Sequence, residues 1–165
     1  MTVIRSETGA ELAAIRAVNQ AAFEGPVEAE LVDQLRAARD LILSLVAVED
    51  GQVIGHCGFS RLIVQATDTA IPGVSLAPVA VLPAWQRQGI GGRLVEEGIS
   101  RLRASSEALV FVLGAPAFYG RFGFSRSAAA AFHTPYDGPY MQALTLSPDA
   151  PACGDVRYPS AFAAL

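Results

Sequence analysis

The residues with the plainest chemical meaning lie together in Gln86-Arg87-Gln88-Gly89-Ile90-Gly91-Gly92. Glycines lack a Cβ, so successive backbone N–H groups can come close to an anion, and a helix starting there adds unpaired amides and the positive end of its dipole. The chemistry implied is a cradle for a diphosphate. Arg87 and Arg93 can add charge, at about 1.5–3 kcal/mol per charged hydrogen bond where solvent is excluded and much less where it is not. Two familiar phosphate loops fail on spacing: a dinucleotide fingerprint needs glycine where Leu94 stands, and a Walker loop needs a Gly-Lys-Ser/Thr triplet that is not in the chain. A glycine-rich strand-to-helix turn with no ligand is the other reading of the same residues.

Other reactive side chains are few. His56, between Gly55 and Cys57, titrates in a useful range, but its place in a strand favours a hydrogen-bonded structural histidine, and His133 after an alanine run is given no role. Cys57 and Cys153 lack Cys-x-x-Cys or His-x-x-x-His companions, so they read as free thiols, and no metal site is expected. There is no Gly-x-Ser-x-Gly nucleophile elbow.

Positioning these groups requires a particular set of elements. The chain has 165 residues, 52% hydrophobic and 17% charged, enough for one core and outside the range of disordered chains. A strand is expected at Thr2–Ser6. The capping box Thr8-Gly9-Ala10-Glu11 opens a helix whose face is Leu12, Ile15, Val18 and Ala22, and a second helix starts near Val27 with Leu31, Val32 and Leu35 along it. Asp50-Gly51 accepts the positive φ of a tight turn, so Ser44–Glu49 and Val53–Val64 form a hairpin. A loop from Gln65 to Gly73 leads to the strand Ser75–Val81, where Pro78 signals an edge or a bulge. Leu94, Val95, Ile99 and Leu102 then mark a helix to Ser105 and Ala108–Gly114 a buried strand, which makes a βαβ unit with parallel strands. A short helix over Pro116–Phe122, a weak strand from Phe124, a turn at Tyr136–Pro139 and a strand Met141–Leu146 follow; the tail after Ser147 is unassigned. The class is α/β, a mixed sheet in one domain over residues 1–165.

Charge and hydropathy exclude some functions. A net charge of −4 offers no general field for polyanions, so bulk nucleic-acid binding is not expected, although a local basic patch is compatible with it. Arg5, Glu7 and Glu11 interrupt what would be a signal core, and no run of eighteen apolar residues occurs; a soluble cytoplasmic protein without membrane contact is expected.

Once those phosphate loops are excluded, Gln-x-x-Gly-x-Gly remains. Within LAPVAVLPAWQRQGIGGRL (Leu76–Leu94), followed by a buried strand and AFYGRFGF (Ala117–Phe124), it resembles the acyl-CoA loop of the GNAT (GCN5-related) N-acetyltransferase superfamily. The early hairpin, the two N-terminal helices and the closing RYPSAF look like a branch of small bacterial acetyltransferases. The likeness covers most of the chain, but in the N-terminal third it rests on element order.

The resemblance implies a GNAT-type sheet splayed at the cofactor strand, with acetyl-CoA as co-substrate and its pantetheine arm in the opening. Main-chain groups of Val79, Ala80 and Val81 would meet that arm, and Gln86, Arg87, Gln88, Gly89, Ile90, Gly91 and Gly92 the pyrophosphate. Tyr119 corresponds to a candidate general acid near the sulfur, although Phe118, Tyr119, Phe122 and Phe124 also read as an aromatic cluster under a turn. Glu24 and Glu28, with Glu30 close by, are candidate bases near the acceptor, and solvated carboxylates near a helix start otherwise. Trp85 reads as packing. The expected reaction is direct attack of a primary amine of a small molecule, peptide or protein on the thioester, by a chain that is reasonably a homodimer. Two alternatives stand beside it: a non-catalytic acyl-CoA-binding regulatory module, and an aminoacyl-tRNA-acetylating toxin, which would need a basic face.

Overall fold

Asp50 and Gly51, at φ 50° and 78°, turn the chain between β2 (Leu41–Glu49) and β3 (Gln52–Gln65), as a two-residue hairpin requires. The computed structural model describes residues 1–165. Before the hairpin come β1 (Val3–Ser6), α1 (Leu12–Phe23) and α2 (Val27–Ala37). The helical start expected at Thr8 is present: the Thr8 N–H donates to the Glu11 carboxylate at 2.7 Å, which also takes a bidentate pair from Arg5. After the hairpin come β4 (Ala70–Val81), α3 (Ile90–Ala104) and β5 (Leu109–Leu113). Next are α4 (Pro116–Tyr119), α5 (Arg126–Ala129), β6 (Phe132–His133), β7 (Met141–Thr145) and β8 (Gly154–Arg157).

The main path through the sheet runs β1-β2-β3-β4-β5-β7, and β8 adds to the end of β3 and pairs with β6. Neighbours along the path are antiparallel except β4 and β5, the parallel pair expected of the βαβ unit. α3 covers one face, packing Ile90, Leu94, Val95, Ile99 and Leu102 onto Phe59, Val74 and Val110. α1 covers part of the other with Ile15 and Val18 against Val46 and Ala80. A Cβ on Gly98 of α3 would overlap the Phe59 ring, so this glycine lets the helix approach β3 closely.

Two expectations are corrected, and the one at Pro78 is met. The loop expected from Gln65 to Gly73 covers only residues 66–69, closed by the Ala66 N–H on the Thr69 carbonyl at 2.8 Å; β4 starts at Ala70 and pairs there with Gln65. β5 pairs only with Val74–Leu76, so at Pro72 the strand has a neighbour on one side alone. Pro78 stands at a register slip between Cys57 and Phe59, the bulge its sequence signals, in the part of β4 that has β3 on one side and no β5 partner on the other. From Phe124 onward there is one bridge, Ser125 to Ala143, and then α5: the Ser125 hydroxyl caps the Ala128 N–H at 3.1 Å and the alanine run favours helix.

Candidate active site

β4 and β5 are paired over three positions only, Val74–Leu76 with Val110–Val112, and β4 then runs on to Val81 without that neighbour. The gap is a cleft of about 880 Å³ that takes in Leu76–Val79, Val81, Trp85–Arg87, Gly89–Gly92, Leu113–Ala115, Phe118, Tyr119 and Arg121. The Leu82 N–H donates to the Ile54 carbonyl at 2.8 Å, which makes Leu82/Ile54 a hydrogen-bonded antiparallel pair. Alternation then turns the main-chain groups of Ala80 toward β3 and those of Val79 and Val81 toward the cleft. The Val81 carbonyl is taken there by Gln86 Nε2 at 2.9 Å, so Gln86 braces the strand end. Ala80 is buried beneath α1 and is absent from the cleft wall.

The glycine loop is bare on its outer side. Gly89 has φ 83° and nothing within 4 Å of where a Cβ would be, and a Cβ on Gly91 or Gly92 would meet its own protein at 3.5–3.9 Å, ordinary contact. Packing therefore does not demand glycine at 91 or 92. Bare amides at the start of a fifteen-residue helix leave room there for an anion to approach. Arg87 lines the cleft, whereas Gln88 lies outside the wall and contacts the Ala84 carbonyl only at 3.5 Å. Arg93 points away and donates to the Thr2 carbonyl at 2.9 Å.

Arg121 supplies the charge that sequence spacing missed. Its guanidinium lies 4.9 Å from the Phe118 ring centre and 5.4 Å from that of Phe122, with Nη2 3.9 Å from a Cβ position on Gly92. Its signal in the sequence, one arginine in an aromatic turn, points to nothing until the turn is folded against the loop.

Tyr119 stands edge-on to Phe118 and Phe124, at 4.8 and 5.9 Å between ring centres, and also lines the cleft. Both readings of this aromatic cluster are thus compatible with its place. A Cβ on Gly114 would overlap the Tyr119 ring, so the glycine at the end of β5 makes the space for it. Burial, helped by the neighbouring Cys57, pushes the phenol above its usual range, so it stays protonated. Glu28 lines the cleft; Glu24, the left-handed cap of α1 at φ 55°, and Glu30 are exposed and outside the wall. Trp85 is half-buried, packed on the core and exposed to the cleft at once.

His56 belongs to the core. Its Nδ1 accepts from Asn19 Nδ2 at 3.1 Å and its Nε2 lies 2.9 Å from Ser44 Oγ, an arrangement that makes the neutral ring protonated on Nε2. Burial, moderated by Glu7 and reinforced by Arg36, pulls the imidazole down to about 4. Cys57 is fully buried with its thiol pushed up, unlike a nucleophile; Cys153 is exposed, and both are free. No three His, Cys, Asp or Glu side chains converge as a metal-binding group, and no helix is long and apolar enough to cross a membrane.

A splayed mixed sheet with a bare glycine loop at its opening is the architecture of an acyl-CoA-dependent transferase, and residues 3–127 match the model of the acetyltransferase (GNAT) domain. The chain belongs to the GNAT acetyltransferase family. It is 42% identical over 127 residues to the uncharacterised N-acetyltransferase YhbS of Escherichia coli, covering 76% of this chain and 75% of that one. YhbS in complex with CoA superimposes with a TM-score of 0.89 at 36% identity, over 98% of this chain and 92% of that one. A GNAT family acetyltransferase from Brucella melitensis in complex with acetyl-CoA gives 0.84 at 41% identity, over 98% of each chain. The protein is an acyl-CoA-dependent N-acetyltransferase.

Proposed function

We propose that the protein moves an acetyl group from acetyl-CoA to a primary amine in a ternary complex, with the donor lying along the cleft from the glycine loop to Tyr119. The observation that carries this reading is the continuity of one opening past three features: bare amides at the start of α3, the unpaired edge of β4 and the Tyr119 ring. The complexes of the Escherichia coli and Brucella melitensis proteins with CoA and acetyl-CoA support the choice of donor.

The residues divide the work by position. Backbone N–H groups of Gly89–Gly92 receive the diphosphate, with Arg87 and Arg121 as counter-charges. Main-chain groups of Val79 and Val81 serve as sheet partners for the amide-bearing arm, and one N–H of this edge is available to a developing oxyanion. Acetyl-CoA supplies an activated acyl carbon: transfer forms a C–N bond, breaks the C–S bond and leaves the sulfur needing a proton. Tyr119 delivers that proton, and Glu28 takes the one released by nitrogen, directly or through water. No covalent step on the protein is needed, which fits a buried, protonated Cys57.

Release of CoA thiol, followed with an amine panel against an amine-free control, tests the reading. Amine-dependent release that falls in Tyr119→Phe is expected. Tight acetyl-CoA binding without release from any amine, and no effect of Tyr119→Phe, would instead identify a non-catalytic acyl-CoA-binding module.

A further inference from the structure

Charge is distributed unevenly along the cleft. Its charged wall residues are Glu28, Arg87 and Arg121. Both arginines stand at the glycine-loop end, Arg87 in the loop and Arg121 beside Gly92. The other end, where the α1–α2 corner faces the end of β5, is walled by Ala22, Phe23, Leu31, Leu113 and Leu165, with Glu28 as its one charged side chain. Phe23, Leu113 and Leu165 are 40%, 53% and 57% exposed, so three large apolar side chains are held in water around one opening. Apolar surface gathered at a cavity mouth with a single polar anchor is how a small-molecule pocket is built. The neighbouring cations are already engaged: Arg16 and Arg36 pair with Asp33, and Arg36 also with Glu7 at 3.0 Å.

We propose that this end selects a primary amine with one positive charge on an apolar body, an arylalkyl or branched alkyl monoamine, with Glu28 as counter-ion of the ammonium before it becomes acceptor of its proton. The inference rests on the acetyltransferase reading and deepens it. A polyamine or aminoglycoside would have to set its second ammonium against Phe23, Leu31 or Leu113 with no second acidic side chain to meet it, and an unpaired charge on an apolar wall loses its hydration without return. An acceptor with a carboxylate beside the amine would put that anion next to Glu28. Each mismatch works against binding at the acceptor end and leaves the donor end untouched.

The test compares kcat/KM for phenethylamine and isoamylamine with spermidine, kanamycin and glycine, by acetyl-CoA-dependent release of CoA thiol, with stabilisation of each variant by acetyl-CoA alone measured in parallel. The apolar monoamines should exceed spermidine by about tenfold or more, the equivalent of one lost charged contact. Glu28→Gln should raise the KM for phenethylamine and flatten the preference. Phe23→Asp should move the ratio toward spermidine, and Leu113→Asp repeats the test at a second exposed site should the first variant fold poorly; both should keep the response to acetyl-CoA. Spermidine or kanamycin being used better than every apolar monoamine, an unchanged ratio in both aspartate variants, or acetyl-CoA binding with no turnover of any amine overturns the inference. Failure of acetyl-CoA to stabilise the wild-type protein overturns the transferase reading beneath it.

Discussion

Tyr119 can act as an acid only while it keeps its proton, and its burial secures that: the phenol is held above its ordinary value, so the acid form persists throughout the neutral range. Tyr119→Phe should lower kcat with little change in the KM for acetyl-CoA. Because a coenzyme thiolate is a fairly stable leaving group, the loss should fall below the ~10²–10⁴ typical of acid catalysis, as steady-state rates at saturating amine would show. His56 has a different consequence. The unfolded chain takes up a proton near 6.5 and the native chain near 4, so stability is full above 6.5, falls as the pH drops toward 4, and is flat below that. The span amounts to about 3 kcal/mol, and urea unfolding at several pH values should find most of it gone in His56→Gln, a variant less stable at neutral pH. The place of His56 in the core was legible, since a histidine between small residues in a strand is a structural candidate. Placing Glu28 rather than Glu24 in the cleft wall was not legible, because the two flank one corner between helices, Glu24 capping α1 and Glu28 opening α2, and only the fold shows which faces the cleft.

The elements that read well are those whose local chemistry admits one answer. Asp50-Gly51 permits a tight hairpin, and Leu94, Val95, Ile99 and Leu102 repeat at helical spacing after a glycine loop. Those that read poorly were settled by neighbours: Pro72 is tolerated because β5 pairs elsewhere, and the strand expected at Phe124 yields to a serine cap. α3 carries two tests. Gly91→Val places a branched side chain where an anion must approach and should abolish most acetyl-CoA binding in calorimetry while leaving the fold intact, since a Cβ there meets only ordinary contacts. Gly98→Ala acts on the opposite face of the argument: overlap with the Phe59 ring should cost roughly 1–3 kcal/mol in urea unfolding, part of it recovered by adding Phe59→Leu.

Across the whole molecule, the site is assembled from the α1–α2 corner, the free edge of β4, the start of α3 and the turn after β5, which lie far apart in the chain and meet because the sheet opens beyond Leu76. Residues in all four were named from the sequence, but only the loop and the Tyr119 turn by diagnostic residue spacing; the β4 edge and the α1–α2 corner came only with the family resemblance. These last two are defined by which groups stay unpaired, a property of topology. If this opening holds acetyl-CoA, thermal unfolding with acetyl-CoA, NAD or ATP will tell the three ligands apart. At about a hundred times its Kd, a ligand adds ~2.7 kcal/mol, roughly 5–10 °C for a chain of this size. Acetyl-CoA should produce that shift, with the Gly91→Val protein failing to respond. A shift with NAD or ATP alone, or an equal response to acetyl-CoA in wild type and Gly91→Val, would contradict that role for the opening.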